Sequence, residues 1–169
     1  MTFEELPGVD ELLATLARRM RAAVDADTAL VGIYTGGVWL AERLHAALGL
    51  RHPLGTLDVS FYRDDYDQRG LHRDVRPSSI PFDVAQRDIV LVDDVLYTGR
   101  TIRAAMNTLF DYGRPERIRL AALLDRGGRQ LPICAQFVAA EVEAPAGSRI
   151  ELTRDGGGAL RLQLEPGGA

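Results

Sequence analysis

The sequence predicts an α/β fold: a central, mostly parallel sheet with helices on both faces and a β-hairpin at the C-terminal end. Three observations carry this. Short apolar runs rich in β-branched residues alternate with segments of helical period. Two of those runs, Ala29–Tyr34 and Ile89–Val92, lead into turns with glycine and threonine that open helices. The last stretch alternates strictly between apolar and polar residues around a run of three glycines.

In order, Asp10 is positioned to cap a first helix in which Leu12, Leu13, Leu16, Met20 and Val24 recur at helical spacing. Ala29–Tyr34 reads as a buried strand. Thr35-Gly36-Gly37 is a turn before a helix from about Val38 to Leu48, and Leu54–Tyr62 alternates as a strand. Residues 63–81 have no apolar period, and connections longer than about 12–15 residues are usually functional lids or disordered. Ile89–Val92 reads as a central strand ending in Asp93-Asp94. Gly99–Tyr112 is a helix with Ile102, Met106, Leu109 and Phe110 on one face, stopped by Gly113. Ile118–Leu124 is the next strand, and residues 149–165 form the hairpin.

Length and composition bound the function. At 169 residues, the chain reads as one domain, residues 1–169, with an ordinary balance of 46% apolar and 26% charged residues. The net charge of −4 excludes a protein that is basic throughout. The chain has no lysine, so its 20 basic side chains are all arginine. That excludes a Walker-type phosphate loop and Schiff-base chemistry, and it argues against the lysine-dependent phospho-receiver domain. A single cysteine, Cys134, forms no internal disulfide and reads as a buried structural thiol, which fits a reducing cytoplasm. The acidic start (Glu4, Glu5, Asp10, Glu11) is opposite in sign to a signal peptide, and no apolar run approaches the roughly 18 residues of a membrane span. His45, His52 and His72 have no metal-ligand spacing, and Trp39 reads as packing in the core or between subunits.

The segment Asp88-Ile-Val-Leu-Val-Asp93-Asp94-Val-Leu-Tyr-Thr98-Gly99-Arg100-Thr101 carries the chemistry. A buried strand ends in two carboxylates, and the turn behind it opens a helix. Such a turn offers backbone N–H groups, the Thr98 and Thr101 hydroxyls and the positive end of a helix dipole, a combination that binds a phosphate monoester. Paired carboxylates accept hydrogen bonds from a ribose diol and can tune a bound Mg²⁺. The alternative is an acidic strand end followed by a capped, solvated turn.

With Gly113-Arg-Pro115, Leu124-Asp-Arg-Gly127 and Leu131-Pro-Ile133, this wording resembles the pyrimidine-operon regulator and uracil phosphoribosyltransferase family (PyrR) of the type I phosphoribosyltransferases. Tyr62-Arg-Asp-Asp65, Ile80-Pro-Phe-Asp83 and Gly32-Ile-Tyr-Thr35 agree as well, and the similarity spans roughly residues 25–140. The resemblance implies the type I fold with a small hood, and transfer of phosphoribose from phosphoribosyl pyrophosphate (PRPP) to uracil, giving UMP and diphosphate. Mg²⁺ would be held mainly by PRPP, with no direct protein ligand. Asp93, Asp94 and Arg63 would be catalytic, Arg63 opening a loop that folds over the diphosphate and excludes water. Val95, Leu96, Tyr97, Thr98, Gly99, Arg100 and Thr101 would bind the 5-phosphate. Thr35, Gly36 and Gly37 would form the pyrophosphate turn, and Asp125, Arg126, Gly127, Leu131, Pro132 and Ile133 the hood over uracil. Dimers or tetramers follow from the same resemblance.

Family members that bind messenger RNA typically carry Arg-Gly-His-Arg-Glu-Leu-Pro-Ile-Arg, then Gly-Lys-Asn. Here the histidine position is Gly128, the last arginine Cys134 and the tripeptide Ala139-Ala140-Glu141. Basic residues common before and within the pyrophosphate turn are replaced by Tyr34 and Gly36. Affinity for RNA depends on neutralised phosphates, so these losses favour the enzyme over a regulator binding pyrimidine-operon leader mRNA. Arg18, Arg19, Arg21, Arg126 and Arg129 remain as candidates for a different basic face.

Overall fold

A computed structural model describes residues 1–60 and 77–167. Its elements are α1 (Val9–Arg21), β1 (Ala29–Ile33), α2 (Gly36–Leu48), β2 (Gly55–Leu57), β3 (Asp88–Leu96), α3 (Arg100–Asp111), β4 (Arg117–Asp125), β5 (Phe137–Glu141), β6 (Arg149–Arg154) and β7 (Leu160–Glu165). The first five strands form one sheet in the order β2-β1-β3-β4-β5, and every pairing in it is parallel. β6 and β7 form the expected antiparallel hairpin. Among the described residues, no helix is long and apolar enough to cross a membrane.

Side-chain alternation along the strands builds a core on each face of the sheet. Val90 and Val92 join Leu12, Leu16 and Met20 of α1 and Leu40 and Leu44 of α2 on one side. Ile89 and Leu91 join Ile102, Ala105 and Leu109 of α3 on the other. All of these residues are buried, and burying a large aliphatic side chain contributes about 1.5–3 kcal/mol. The chain leaves β1 through α2 toward one sheet edge and leaves β3 through α3 toward the other. Neighbouring strands whose connections run in opposite directions open a crevice at their carboxyl ends, and open α/β sheets bind ligands there.

The hairpin is fastened to this frame. Ile150, Leu152 and Leu160 enter the α1/α2 core. Arg154 lies 4.8 Å over the half-buried ring of Trp39, and Arg43 donates to the Gly158 carbonyl at 2.6 Å. Trp39 therefore packs as expected.

Several local expectations are corrected. Gly8 caps α1, while Asp10 lies inside the first turn and pairs with Arg43 at 2.8 Å. α2 begins at Gly36, two residues earlier than its apolar pattern indicates. β2 is only three residues long, because β1 pairs with it from Gly55 to Leu57, and the Phe61–Tyr62 end of the expected strand lies outside the described residues. In the expected 63–81 loop, Ser79 bridges back to Thr56, and Ile80 packs on the α3 core. Phe110 is 57% exposed although it shares a helix with Leu109. Cys134 is exposed, because the chain around it runs across the surface before entering β5. Of the histidines, His45 contacts the His52 carbonyl at 2.6 Å and Arg87 contacts the His52 ring at 2.8 Å; His72 lies outside the described residues.

At the opposite end of the sheet, Asp88 receives Arg117 at 2.9 and 3.1 Å, Arg119 at 2.7 Å and the Thr28 hydroxyl at 3.3 Å. Burial pushes the Asp88 carboxyl up, but the hydrogen bond from Arg117 and the charges of Arg119 and Arg117 outweigh it and hold it below its ordinary value. A carboxylate depressed in the folded state stabilises the fold above the ordinary Asp pKa of about 3.9, and the contribution disappears as acid protonates the folded protein. Asp88→Asn leaves the largely buried Arg119 without its carboxylate. It should cost about 2 kcal/mol at neutral pH, less than for a fully buried pair because Arg117 is open to solvent. Urea titrations should show the gap between wild type and variant closing below about pH 4; a gap that persists there assigns the loss to packing.

Candidate active site

The crevice at the carboxyl ends of β1 and β3 is assembled from three chain segments. The first is the acidic end of β3. The strand is expected to end in Asp93-Asp94, but it runs two residues further: pairing with β4 continues through Asp93↔Ala122 and Val95↔Leu124 to Leu96↔Asp125. Pairing with β1 stops at Gly32↔Val92, so Asp93 and Asp94 lie beyond the last β1 pair while still held by β4. Asp93 is buried, and its Oδ1 accepts the Asp94 N–H at 3.1 Å. The Asp94 Oδ1 accepts the Val95 N–H at 2.9 Å, which fixes that carboxylate against its own backbone.

The second segment is the start of α2. Thr35 is its N-cap, and its carbonyl accepts from Val38 at 3.2 Å and Trp39 at 3.4 Å. A methyl group at Gly36 would lie 2.4 Å from Asp94 Oδ2, and one at Gly37 would lie 2.3 Å from the Val92 carbonyl oxygen. Real side chains do not approach so closely, so the absence of a Cβ at both positions lets the helix N-terminus sit directly on the acidic pair. The expected pyrophosphate turn is thus the first turn of α2 itself. Its N–H groups and dipole face the same crevice as the carboxylates.

The third segment is the bend Tyr97–Gly99. Val95 and Leu96, expected as part of the phosphate loop, belong to β3, and Arg100 and Thr101 open α3. Thr98 is buried, and its Oγ1 accepts the Arg100 N–H at 3.2 Å. Gly99 caps the helix at φ +94°, a conformation that favours glycine, and a methyl there would meet Ile133 at 2.9 Å.

The segment after β4 folds over this bend. Asp125 closes β4 and accepts the Gly127 N–H at 2.9 Å. Arg126 donates its N–H to the Leu96 carbonyl at 3.1 Å, and its guanidinium lies 4.2 Å over the Tyr97 ring and reaches the Ser148 carbonyl at 2.8 Å. Leu131 and Ile133 are half-buried, and Pro132 is exposed. The expected hood residues are therefore brought together with the expected phosphate residues.

Arg129 and Gln130 received no role in this site from the sequence. Arg129 binds both Asp125 oxygens at 2.6 and 2.7 Å and the Tyr97 carbonyl at 2.5 Å, while Arg100 donates to Gln130 Oε1 at 3.1 Å. The only signal was an acid and a base four residues apart. Neither Arg126 nor Arg129 presents a free basic face. On α1, Arg19 donates to the Val138 carbonyl and Arg21 to the Ala47 carbonyl. Arg63, with Arg69, Arg73 and Arg76, lies outside the described residues.

The acidic pair offers hard oxygen donors, which suit Mg²⁺. Among the described residues, no three His, Cys, Asp or Glu side chains converge as a complete metal cage. An ion that keeps several waters and substrate phosphate oxygens fits such a site, because Mg²⁺ commonly binds through one or two carboxylates plus the substrate.

Comparison with known proteins shows the family and the fold. Residues 4–145 match the phosphoribosyl transferase domain family. A curated protein of Pseudomonas fluorescens, named Bifunctional protein PyrR, is 49% identical over 164 residues, covering 95% of this chain and 96% of its own length. Solved structures share the fold at low identity. A hypoxanthine-guanine phosphoribosyltransferase of Bacillus anthracis has a TM-score of 0.64 at 16% identity, with 80% of this chain and 82% of that chain covered. The corresponding enzyme of Leishmania tarentolae in complex with GMP has a TM-score of 0.60 at 18% identity, with 85% and 84% covered.

Proposed function

This chain belongs to the phosphoribosyl transferase family, and from that premise we propose that it is a uracil phosphoribosyltransferase converting uracil and PRPP to UMP and diphosphate. The observation that supports the reading is the convergence of three features on one crevice: the Asp93–Asp94 strand end, the N-terminus of α2 and the bend that opens α3.

In this reading the 5-phosphate sits on the Tyr97–Thr101 segment, against the amides and dipole at the start of α3. Asp93 and Asp94 bind the ribose hydroxyls. The diphosphate lies at the first turn of α2, where Gly36 and Gly37 let the backbone come close. The bond from ribose C1 to the diphosphate oxygen breaks and a bond from uracil N1 to C1 forms; the uracil N1 proton leaves to solvent or to the departing diphosphate. Positive charge develops on the ribose ring in the transition state, and the fixed carboxylates of Asp93 and Asp94 stabilise it. Mg²⁺, which would be held mainly by PRPP, would neutralise diphosphate charge and make it a better leaving group. The hood binds uracil and orients its N1 toward C1, so most of the rate gain is orientation and electrostatics.

Incubating the purified protein with uracil, PRPP and Mg²⁺ should release UMP and diphosphate in equal amounts. No UMP under those conditions sinks the reading. The word bifunctional in the relative's name favours a second activity, a uridine-nucleotide-responsive regulator that binds pyrimidine-operon leader RNA. A gel shift tightened by UMP and weakened by salt supports it, and no shift at low salt eliminates it.

A further inference from the structure

We propose that Arg129 is a positioning residue for the phosphate cradle: it holds the Tyr97 carbonyl toward the hood and thereby turns the next amide into the cradle. The inference rests on the phosphoribosyl-transfer reading and names a residue on which that site depends.

The carbonyls of three successive residues, from the end of β3 into the bend, all accept bonds from the hood. Leu96 accepts from the Arg126 N–H at 3.1 Å, and Thr98 accepts from the Gln130 and Leu131 N–H groups at 3.0 and 3.2 Å. Tyr97, between them, accepts from the Arg129 guanidinium at 2.5 Å. In a trans peptide, C=O and N–H point in opposite directions. Carbonyls drawn to the hood therefore turn the amides of Tyr97, Thr98 and Gly99 to the opposite side, away from the hood. Successive N–H groups facing one way make an anion-binding concavity.

The outer two of these peptides are fastened by backbone donors, which any substitution except proline retains. The middle one is fastened by a side chain. That side chain is itself held, because both Asp125 oxygens fix the guanidinium and only 24% of the Arg129 side chain is exposed. A planar fork bonded on two sides orients its third acceptor better than a flexible ammonium can. Gly128 completes the arrangement. It stands at φ +72°, and a methyl there would lie 2.4 Å from the Tyr97 ring, so the glycine leaves room for that ring beneath Arg126. The same bonding turns Arg129 inward, away from a role as a surface contact for nucleic acid.

UMP and uridine differ by the phosphate alone, so titrating both into wild type and Arg129→Met, followed by NMR, isolates the cradle. Arg129→Met should weaken UMP by about tenfold, the usual effect of losing a hydrogen bond to a charged donor, and leave uridine unchanged. Arg129→Lys, which reaches one acceptor at a time, should recover part of the loss. Unchanged UMP affinity in Arg129→Met overturns the proposal, and so does an equal loss for uridine, which marks a general distortion of the site. Should Arg129→Met fail to fold, Arg129→Lys decides, with roughly threefold weaker UMP expected and unchanged UMP overturning the proposal. Wild type that binds UMP no better than uridine overturns the phosphate cradle itself, before Arg129 is considered.

Discussion

Replacing Asp93 and Asp94 together by asparagine should lower kcat for UMP formation by roughly a thousandfold with little loss of stability. The expectation follows from what the substitution keeps. Asp94 donates its N–H to Asp93 Oδ1, and Val95 donates to Asp94 Oδ1. An asparagine Oδ1 accepts the same bonds, so the end of β3 retains its shape while two negative charges disappear. In a water-poor site, charge aimed at the reacting centre is usually the largest single catalytic contribution; removing one such group typically costs about a hundred- to a thousandfold. Steady-state UMP release gives the rate, and thermal melting checks the fold. A double variant that melts like wild type and turns over within about tenfold of it would falsify the electrostatic role.

Gly37→Ala should raise KM for PRPP by at least about tenfold and destabilise the protein by about 1–3 kcal/mol. The added methyl would meet the Val92 carbonyl oxygen at 2.3 Å and the Asp93 Cα at 3.2 Å. Both are backbone atoms of the central strand, Val92 paired with β1 and β4 and Asp93 with β4, so neither can turn aside. The start of α2 must lift away from β3, carrying the diphosphate site away from the acidic pair. Gly156→Ala in the hairpin turn, where a methyl meets nothing within 4 Å, is the matched control and should change neither quantity. A normal KM for PRPP in Gly37→Ala would mean that the close approach of helix and strand is not what binds the diphosphate.

Much of this architecture is legible in the sequence wherever one face of an element is buried. Leu12, Leu16 and Met20 are buried as their spacing indicates, and the hairpin follows from strict alternation around Asp155 and three glycines. What stays hidden depends on partners distant in sequence. The polar residues Asp93 and Asp94 suggest that β3 has ended, yet β4 pairs with it up to Leu96. β5 is short and alanine-rich, with no marked period, and becomes a strand because β4 supplies a partner from Ala121 to Asp125. The end of β2 lies where its register with β1 ends. The acidic strand end and hydroxyl-bearing bend stand out because polar residues directly follow a buried run. Arg129 does not stand out, since its partner carbonyl on Tyr97 is 32 residues away and any residue can supply a carbonyl.

Trp39, stacked beneath Arg154, is the chain's one tryptophan. It sits three residues beyond Gly36, on the helix whose first turn faces the crevice. Its ultraviolet emission therefore comes from a single known place, and the cation above the indole makes that signal sensitive to small displacements of α2. The molecule thus contains its own optical gauge for what happens at one end of the crevice, readable in stopped-flow without dye or label.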